Sequence, residues 1–177
     1  NVPIYSTRLT NALIEHKLEE HDMLKKVKRK VVKYGQHINL GCFRVEFIRT
    51  NHSIQDAAAL AIYSPAGIVL HTGDFKVDYT PVFGDAIDLQ RFGEIGKKGV
   101  LALLCDSTNA ERPGFTDSEK SVGKTLDNIF SEHKNTRIII ATFASNVDRV
   151  QQIINTAYKN GRKVVVEGRS MVNIIGI

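Results

Sequence analysis

The sequence has few of the residues that mark secreted, membrane or disulfide-rich proteins. It contains no tryptophan, four prolines and two cysteines in 177 residues. Cys42 and Cys105 form no C-x-x-C pattern and lie in or beside apolar runs, which predicts small, buried, reduced thiols and argues against a disulfide or a thiolate metal site. No apolar run approaches the roughly 20 residues of a membrane helix, and no signal peptide is recognisable. We therefore expect a cytoplasmic protein without a membrane span.

The rest of the composition is typical of a globular protein, with 42% hydrophobic residues, 24% charged residues and a net charge of +5. The positive charge is uneven, because six lysines and arginines fall between residues 25 and 33. Clustered cations bind RNA phosphates and release counterions. Lysines that keep a solvated edge strand from pairing produce the same pattern. The cluster therefore leaves both interpretations open.

The first two thirds of the chain predict a helix followed by a mostly antiparallel sheet. Apolar residues at helical spacing from Leu9 to Leu18 predict an amphipathic helix over residues 7–21. Apolar runs bounded by turn residues predict strands over 27–33, 38–50, 57–64 and 67–73. The continuous apolar run from Val100 to Cys105 predicts a further strand, buried on both faces.

The last third predicts a strand, a helix and a second strand. Thr116-x-x-Glu119 has the pattern of a capping box and predicts the start of a helix. Residues 138–140 and 164–166 are short apolar runs, and between them lies a helical pattern that Gly161 ends. Such a βαβ unit is expected to have a right-handed parallel crossover. We therefore expect a domain boundary near residue 120.

Two metal-competent side chains follow predicted strands that are joined by one hairpin. His52 follows the strand that ends near residue 50, and Asp74 follows the returning strand. Because the two intervening runs have similar lengths, Asp74 is expected to return to the edge where His52 lies. Imidazole and carboxylate groups are common zinc ligands. A hydrogen-bonded turn histidine and an ordinary Gly-Asp turn explain the same residues, so this pattern alone leaves the metal site open.

The predicted strand-to-helix corner near residue 145 offers a second candidate site. In open α/β sheets ligands bind at the carboxyl ends of strands, and a helix N-terminus favours anions. Ser145 and Asn146 lie at this corner, although Ser145 as a simple helix cap is an equally good interpretation. Arg169 follows the next predicted strand and suits a phosphate or carboxylate partner, or has no specific role at the surface.

Five short motifs occur in a fixed order along the chain. They are Thr50-x-His52-Ser53-Ile54-x-Asp56, His71-Thr72-Gly73-Asp74-Phe75-Lys76, Cys105-Asp106-Ser107-Thr108-Asn109, Ala141-Thr142-Phe143-Ala144-Ser145-Asn146 and Gly168-Arg169-Ser170-Met171. Together they resemble the ribonuclease J family, which belongs to the β-CASP branch of the metallo-β-lactamase superfamily. The order of all five makes the resemblance specific, because any one of them alone is weak.

The resemblance implies an α/β fold in two parts. Residues 1–120 would be the second part of a metallo-β-lactamase αββα sandwich, and residues 121–177 would begin a β-CASP α/β domain with a parallel sheet. The family's main metal cluster, His-x-His-x-Asp-His, does not occur in the sequence. In relatives it precedes the matching segment, and the last active-site histidine follows it. We therefore expect an internal piece of an enzyme that alone binds zinc weakly and cleaves little RNA.

The resemblance also implies roles for the candidate residues. His52 would be a zinc ligand, Asp74 would bridge two Zn²⁺ ions and take part in catalysis, and Asp106 would be a catalytic acidic residue that orients donors or handles a proton. Ser145, Asn146 and Arg169 would hold RNA phosphate.

The implied activity is hydrolysis of RNA, as a 5′-to-3′ exonuclease and an endonuclease, on substrates with a 5′-monophosphate. The implied assembly is a homo-oligomer or a hetero-oligomer of paralogues. One departure is Asp148, where the family pattern has histidine, because an acid would repel phosphate unless Arg149 offsets it. A catalytically inactive paralogue that scaffolds an RNA-degradation complex, or another hydrolase of the metallo-β-lactamase fold, remains as an alternative.

Overall fold

The structure is a computed structural model that describes residues 2–176. The described chain is a mixed α/β protein that divides into two compact units. The first unit contains the residues up to His52, Asp56–Val77 and Ala86–Phe115. The second unit contains Ser53–Gln55, Asp78–Asp85 and the residues from Thr116 onward.

Among the described residues, seven strands and two helices belong to the first unit. The strands are β1 (Ile4–Ser6), β2 (Arg29–Val31), β3 (His37–Leu40), β4 (Phe43–Arg49), β5 (Ala58–Ser64), β6 (Gly67–His71) and β7 (Ala102–Leu104). The helices are α1 (Arg8–Glu20) and α2 (Leu89–Lys97). Strands β1 and β2 pair in parallel, and the others form a sheet in the order β3-β4-β5-β6-β7.

The five-stranded sheet is mostly antiparallel, as the sequence predicted. Neighbours from β3 to β6 are antiparallel, and β7 is parallel to β6. The prediction of a single strand over 38–50 is wrong, because the chain turns between β3 and β4. Gly41 has a φ of 62° in this turn, which a residue with a side chain rarely adopts. The hairpin of β5 and β6, with Pro65 and Ala66 in its turn, is confirmed.

Both faces of the sheet are packed. On one face, helix α2 covers a core of Ile48, Ala59, Ala61, Leu70 and Ile95. On the other face, Val45 and Phe47 pack with Val32, and partly buried side chains of β1, β3 and β5 surround them. Because side chains alternate along β4, this strand contributes to both cores.

A charged side chain lies inside the first core. Glu46 is 2% exposed and accepts two hydrogen bonds from Arg91 of α2, at 2.6 and 2.9 Å. The hydroxyl of Tyr63 donates a third at 2.9 Å, and Nε2 of His37 lies 3.2 Å from the same carboxylate. Arg91 also contacts Glu94 at 2.6 Å. Burial acts to raise the pKa of Glu46, but the hydrogen bonds from Arg91 and Tyr63 outweigh it and hold the pKa below its usual value.

Strand β7 differs from the prediction for Val100–Cys105. It lies at the edge of the sheet, and Leu103 and Leu104 are more than half exposed, at 57% and 52%. An apolar run predicts burial on both faces only when neighbours cover it, and β6 is the strand that pairs with β7 here. Cys42 and Cys105 are free thiols and both are exposed, so the prediction of buried thiols is also wrong.

The second unit is built mainly from helices, namely α3 (Glu119–Glu132), α4 (Val147–Lys159) and α5 (Arg169–Ile175). Ser118, not Thr116, caps α3, because its hydroxyl accepts from the Lys120 amide at 3.3 Å. The predicted capping box is therefore wrong. Leu126 and Phe130 of α3 pack on Ala157 of α4. Among residues 2–176, no helix has the length and apolarity needed to cross a membrane.

The two predicted strands of the βαβ unit are not formed within residues 2–176. Segments 138–140 and 164–166 have no strand assignment, and Ile139 and Val165 are exposed at 87% and 83%. Ile138 and Ile140 instead pack against the core of α3 and α4. The helix between the two segments does form and ends as expected at Gly161, whose φ is 64°. A strand needs a paired neighbour, and apolar pattern alone does not supply one.

Candidate functional site

The carboxyl ends of three strands meet at one edge of the five-stranded sheet. Strands β4 and β6 are both antiparallel to β5, so they run in the same direction, and β7 runs parallel to β6. His52, Asp74 and Asp106 follow the ends of these strands in that order. Because neighbouring strands lie about 4.8 Å apart, loops from β4 and β6 can touch across β5.

Backbone hydrogen bonds join the three loops. The amide of Lys76, two residues after Asp74, donates to the carbonyl of Asn51 at 2.7 Å, next to His52. The amide of Phe75 donates to Oδ2 of Asp106 at 3.4 Å. The structure therefore brings together the segments that carry all three predicted site residues of the first unit.

The ends of β6 and β7 are tied by a buried threonine. The hydroxyl of Thr72 accepts from the Asp106 amide at 3.0 Å and lies 2.7 Å from the Gly73 carbonyl, to which it donates. Gly73 has a φ of 62°, and a Cβ on it would approach the carbonyl oxygen of Ala58 to 3.3 Å. This left-handed glycine turns the chain away from the sheet directly before Asp74.

The Asp106 carboxylate accepts hydrogen bonds on both oxygens. Oδ1 accepts from the amide and the hydroxyl of Thr108, at 2.9 and 2.7 Å, while Oδ2 faces the amide of Phe75. The bonds from Thr108 lower the pKa of Asp106 most, and the Phe75 amide and the charge of His52 lower it further. The side chain is therefore ionised near neutral pH, which favours orienting neighbours over donating a proton.

The loop that carries His52 has an anchor to which sequence reasoning gave no role. Asp56 accepts a hydrogen bond from the Thr7 hydroxyl at 2.9 Å and from the Leu9 amide at 2.8 Å. Its φ of 54° is unusual for a residue with a side chain. Asp56 belongs to the first of the five motifs, but a contact across 47 residues leaves no local signal in the sequence.

The donor set can be tested against the two-zinc centre that the resemblance implies. A zinc ion typically takes three or four protein ligands. Within residues 2–176, no group of three or more histidine, cysteine, aspartate or glutamate side chains is placed to hold a metal ion. His52 and Asp74 have the right chemistry but are too few, so the implied centre does not fit the described side chains by themselves.

The predicted phosphate site of the second unit has a different cap from the one expected. Asn146, which is 7% exposed, caps α4 by accepting from the Arg149 amide at 3.1 Å. The interpretation of Ser145 as the helix cap is therefore wrong, and Ser145 is exposed directly before the capping residue. Arg169 is exposed at the first position of α5.

The two charged residues after Asn146 have separate environments. Asp148 is 7% exposed in the first turn of α4, where an acid is favoured by the helix dipole. The guanidinium of Arg149 binds the carboxylate of Glu119 at 2.6 and 3.3 Å. Arg149 is therefore engaged by Glu119, and whether it also offsets Asp148 stays a prediction.

Comparison with known proteins decides the family. The family model described as "Ribonuclease J, beta-CASP domain" matches residues 135–177. The sequence is 51% identical to a ribonuclease J of Synechocystis sp. over 97% of this chain. It is 46% identical to Ribonuclease J 1 of Streptococcus pyogenes over 99% of the chain. The chain belongs to the ribonuclease J family. The resemblance carried by the five motifs is thereby confirmed.

The matched region is a limited part of these ribonuclease J proteins. The chain covers 27% of the Synechocystis protein and 31% of the Streptococcus protein. A ribonuclease J of Mycolicibacterium smegmatis is 45% identical over 100% of this chain and 31% of its own length. A crystal structure from Enterococcus faecalis, described as a protein of unknown function, shares the fold over 99% of this chain and 44% of its own, with a TM-score of 0.68 and 20% identity.

Proposed function

We propose that the gene product carrying these 177 residues hydrolyses RNA phosphodiester bonds, as a 5′-to-3′ exonuclease and an endonuclease in RNA processing and decay. The observation that carries the proposal is the meeting of the loops after β4, β6 and β7, in a chain 51% identical to a ribonuclease J. An edge whose loops carry an imidazole and two carboxylates suits a hydrolytic site.

In this proposal the first unit is part of a metallo-β-lactamase sandwich, and the second begins a β-CASP domain at about residue 121. Shared order of five motifs supports that division. A parallel sheet in the β-CASP domain requires neighbouring strands for segments 138–140 and 164–166. Among the described residues, these two segments do not form strands.

Within the site, Asp106 positions the loop of Asp74. Its ionised carboxylate faces the Phe75 amide, and its own amide is held by Thr72, so the backbone beside Asp74 has two fixed neighbours. The contact between Lys76 and Asn51 then couples that loop to the one carrying His52. These contacts set where a reacting phosphate is received, without assigning Asp106 a proton transfer.

We include metal dependence in the proposal, with two zinc ions as the implied cofactor. His52 and Asp74 are the contribution of this chain. Because residues 2–176 place no three metal-binding side chains together, we propose that these residues alone bind zinc weakly.

The proposed substrate is RNA that carries a 5′-monophosphate. Ser145 and the guanidinium of Arg169 are both exposed and are the phosphate contacts in this proposal. The side chain of Asn146 is engaged as the cap of α4, so its contribution is to order the backbone at the start of that helix. A cytoplasmic homo-oligomer, or a hetero-oligomer of paralogues, is the proposed assembly.

The test is single-turnover hydrolysis of 5′-monophosphorylated RNA by the gene product and its Asp74→Asn variant. The hydrolysis rate of the variant is expected to fall by more than the about 10–100-fold loss that follows removal of an outer-shell partner. Asp22→Asn is the matched control, because Asp22 is exposed at the far end of α1. Equal rates for Asp74→Asn and wild type would place the chemistry elsewhere. RNA binding without hydrolysis by the wild type would identify an inactive paralogue.

A further inference from the structure

The loop that carries His52 is closed at its base. The amide of Thr50 donates to the carbonyl of Ala57 at 3.2 Å, which joins the end of β4 to the start of β5. The hydroxyl of Tyr34 donates to the same carbonyl at 3.1 Å. His52 therefore lies in a short loop, residues 50–57, whose two ends are fixed to each other.

One side chain holds the body of this loop to another element. Asp56 reaches the N-terminus of helix α1, where one carboxylate oxygen accepts from the Thr7 hydroxyl and the other from the Leu9 amide. Thr7 is the N-cap of α1 but makes no capping bond with its own side chain, and the first turn of α1 has no acidic residue. Asp56 thus supplies the acceptor and the negative charge that this helix end otherwise lacks.

The backbone of Asp56 is suited to this contact. Its φ of 54° lies in the left-handed region, which asparagine and aspartate adopt more readily than other residues with side chains. The two hydrogen bonds to α1 help to offset the cost of this conformation, and they join Asp56 to residues 47 and 49 positions away.

We propose that Asp56 is a positioning residue that fixes the His52 loop against the start of helix α1, so that the imidazole is held at the edge shared with Asp74 and Asp106. This inference rests on the proposed function for its catalytic consequence. The contact itself stands on the hydrogen bonds of Asp56 and on the closed base of the loop. Asp56 lies four positions from His52, so a change in its anchor alters the path of the intervening backbone.

The experiment compares two substitutions of Asp56 in the gene product with one control substitution of Asp22. Asp56→Gly accepts the left-handed backbone but has no acceptor. Asp56→Asn keeps the backbone preference and one acceptor oxygen, and is the conservative variant. Asp22→Gly is the matched control, because Asp22 also has a φ of 54° and is exposed.

Two readouts are required. The first is amide hydrogen exchange of the peptide covering residues 50–57. Because Asp56→Gly removes both hydrogen bonds to α1, we expect it to speed this exchange by at least about tenfold. The second is RNA hydrolysis, where we expect kcat to fall about tenfold with KM nearly unchanged. Asp56→Asn is expected to recover most of both losses, and Asp22→Gly to change neither.

The outcomes separate this inference from the proposed function. Unchanged exchange at 50–57 in Asp56→Gly overturns the anchor, and faster exchange with normal kcat overturns its effect on His52. If the wild type hydrolyses no RNA, the proposed function fails and the exchange result alone decides the anchor. If Asp56→Gly does not fold, Asp56→Asn and Thr7→Val, which removes one of the two donors, are judged by the same exchange measurement.

Discussion

Removing the guanidinium that neutralises buried Glu46 is expected to destabilise the first unit strongly. Glu46, which is 2% exposed in the wild type, loses both hydrogen bonds from the guanidinium in Arg91→Met, of 2.6 and 2.9 Å. The bond from Tyr63 remains, and His37 stays within 3.2 Å. The methionine replaces most of the apolar stem of the arginine, so the main change is an uncompensated charge.

The magnitude follows from the burial of Glu46, whose side chain is 3% exposed, against 27% for Arg91. Breaking a buried ion pair by removing one partner costs about 3–5 kcal/mol, whereas replacing both partners with apolar residues of similar size is close to neutral. With a slope of about 2 kcal/mol per molar urea, the unfolding midpoint should fall by about 1.5–2.5 M in Arg91→Met. The double variant Glu46→Leu/Arg91→Met should recover most of this loss.

The assay is urea unfolding followed through the amide resonances of Ala61 and Leu70, which report on the core of the first unit. The control is Glu94→Gln, which removes the solvent-exposed partner of Arg91 and should leave the midpoint nearly unchanged. A midpoint for Arg91→Met equal to that of Glu94→Gln would refute the reasoning, because the buried pair would then contribute no more than the exposed one.

Three further predictions follow from the described contacts. Because folding lowers the pKa of Glu46, its ionised carboxylate stabilises the folded protein fully above the usual pKa of 4.5. This stabilisation is lost as the pH falls from 4.5 through the lower pKa of the folded state, and acid unfolding of Glu46→Gln should lack that loss. Asn146→Ala should destabilise α4 by about 1 kcal/mol in thermal unfolding, and Ser145→Ala, which removes no cap, should not. Thr108→Val should raise the carboxyl pKa of Asp106 in an NMR titration; an unchanged value would show that the hydroxyl bond is unimportant.

The strands around the candidate site were predictable because they depend on local pattern. Alternation along β4, turn residues after β5 and the similar lengths of β5 and β6 together place the residues after β4 and β6 at one edge. The ends of β6 and β7 share a direction because these strands are parallel, which sequence pattern did not determine. The network of Thr72, Phe75 and Asp106 joins residues about 30 positions apart and left no periodic signal.

The errors have a common physical source. The apolar run Val100–Cys105 predicts a strand buried on both faces, and the runs at 138–140 and 164–166 predict strands of a βαβ unit, although hydrophobicity does not reveal how many neighbours a segment has. Cap positions failed for a similar reason. Ser118 and Asn146 are the N-caps of α3 and α4, although Thr116 and Ser145 lie nearby. The local backbone geometry, and not the residue type alone, selects the cap.

The most direct test of the account is a double-mutant cycle on RNA hydrolysis between His52 and Asp74 in the gene product. Residues that serve one site show strongly non-additive losses when both are removed. We predict that His52→Ala/Asp74→Ala hydrolyses 5′-monophosphorylated RNA no more slowly than the worse single variant. Losses that multiply, or single variants as active as wild type, would contradict the claim that the loops after β4 and β6 form one catalytic edge.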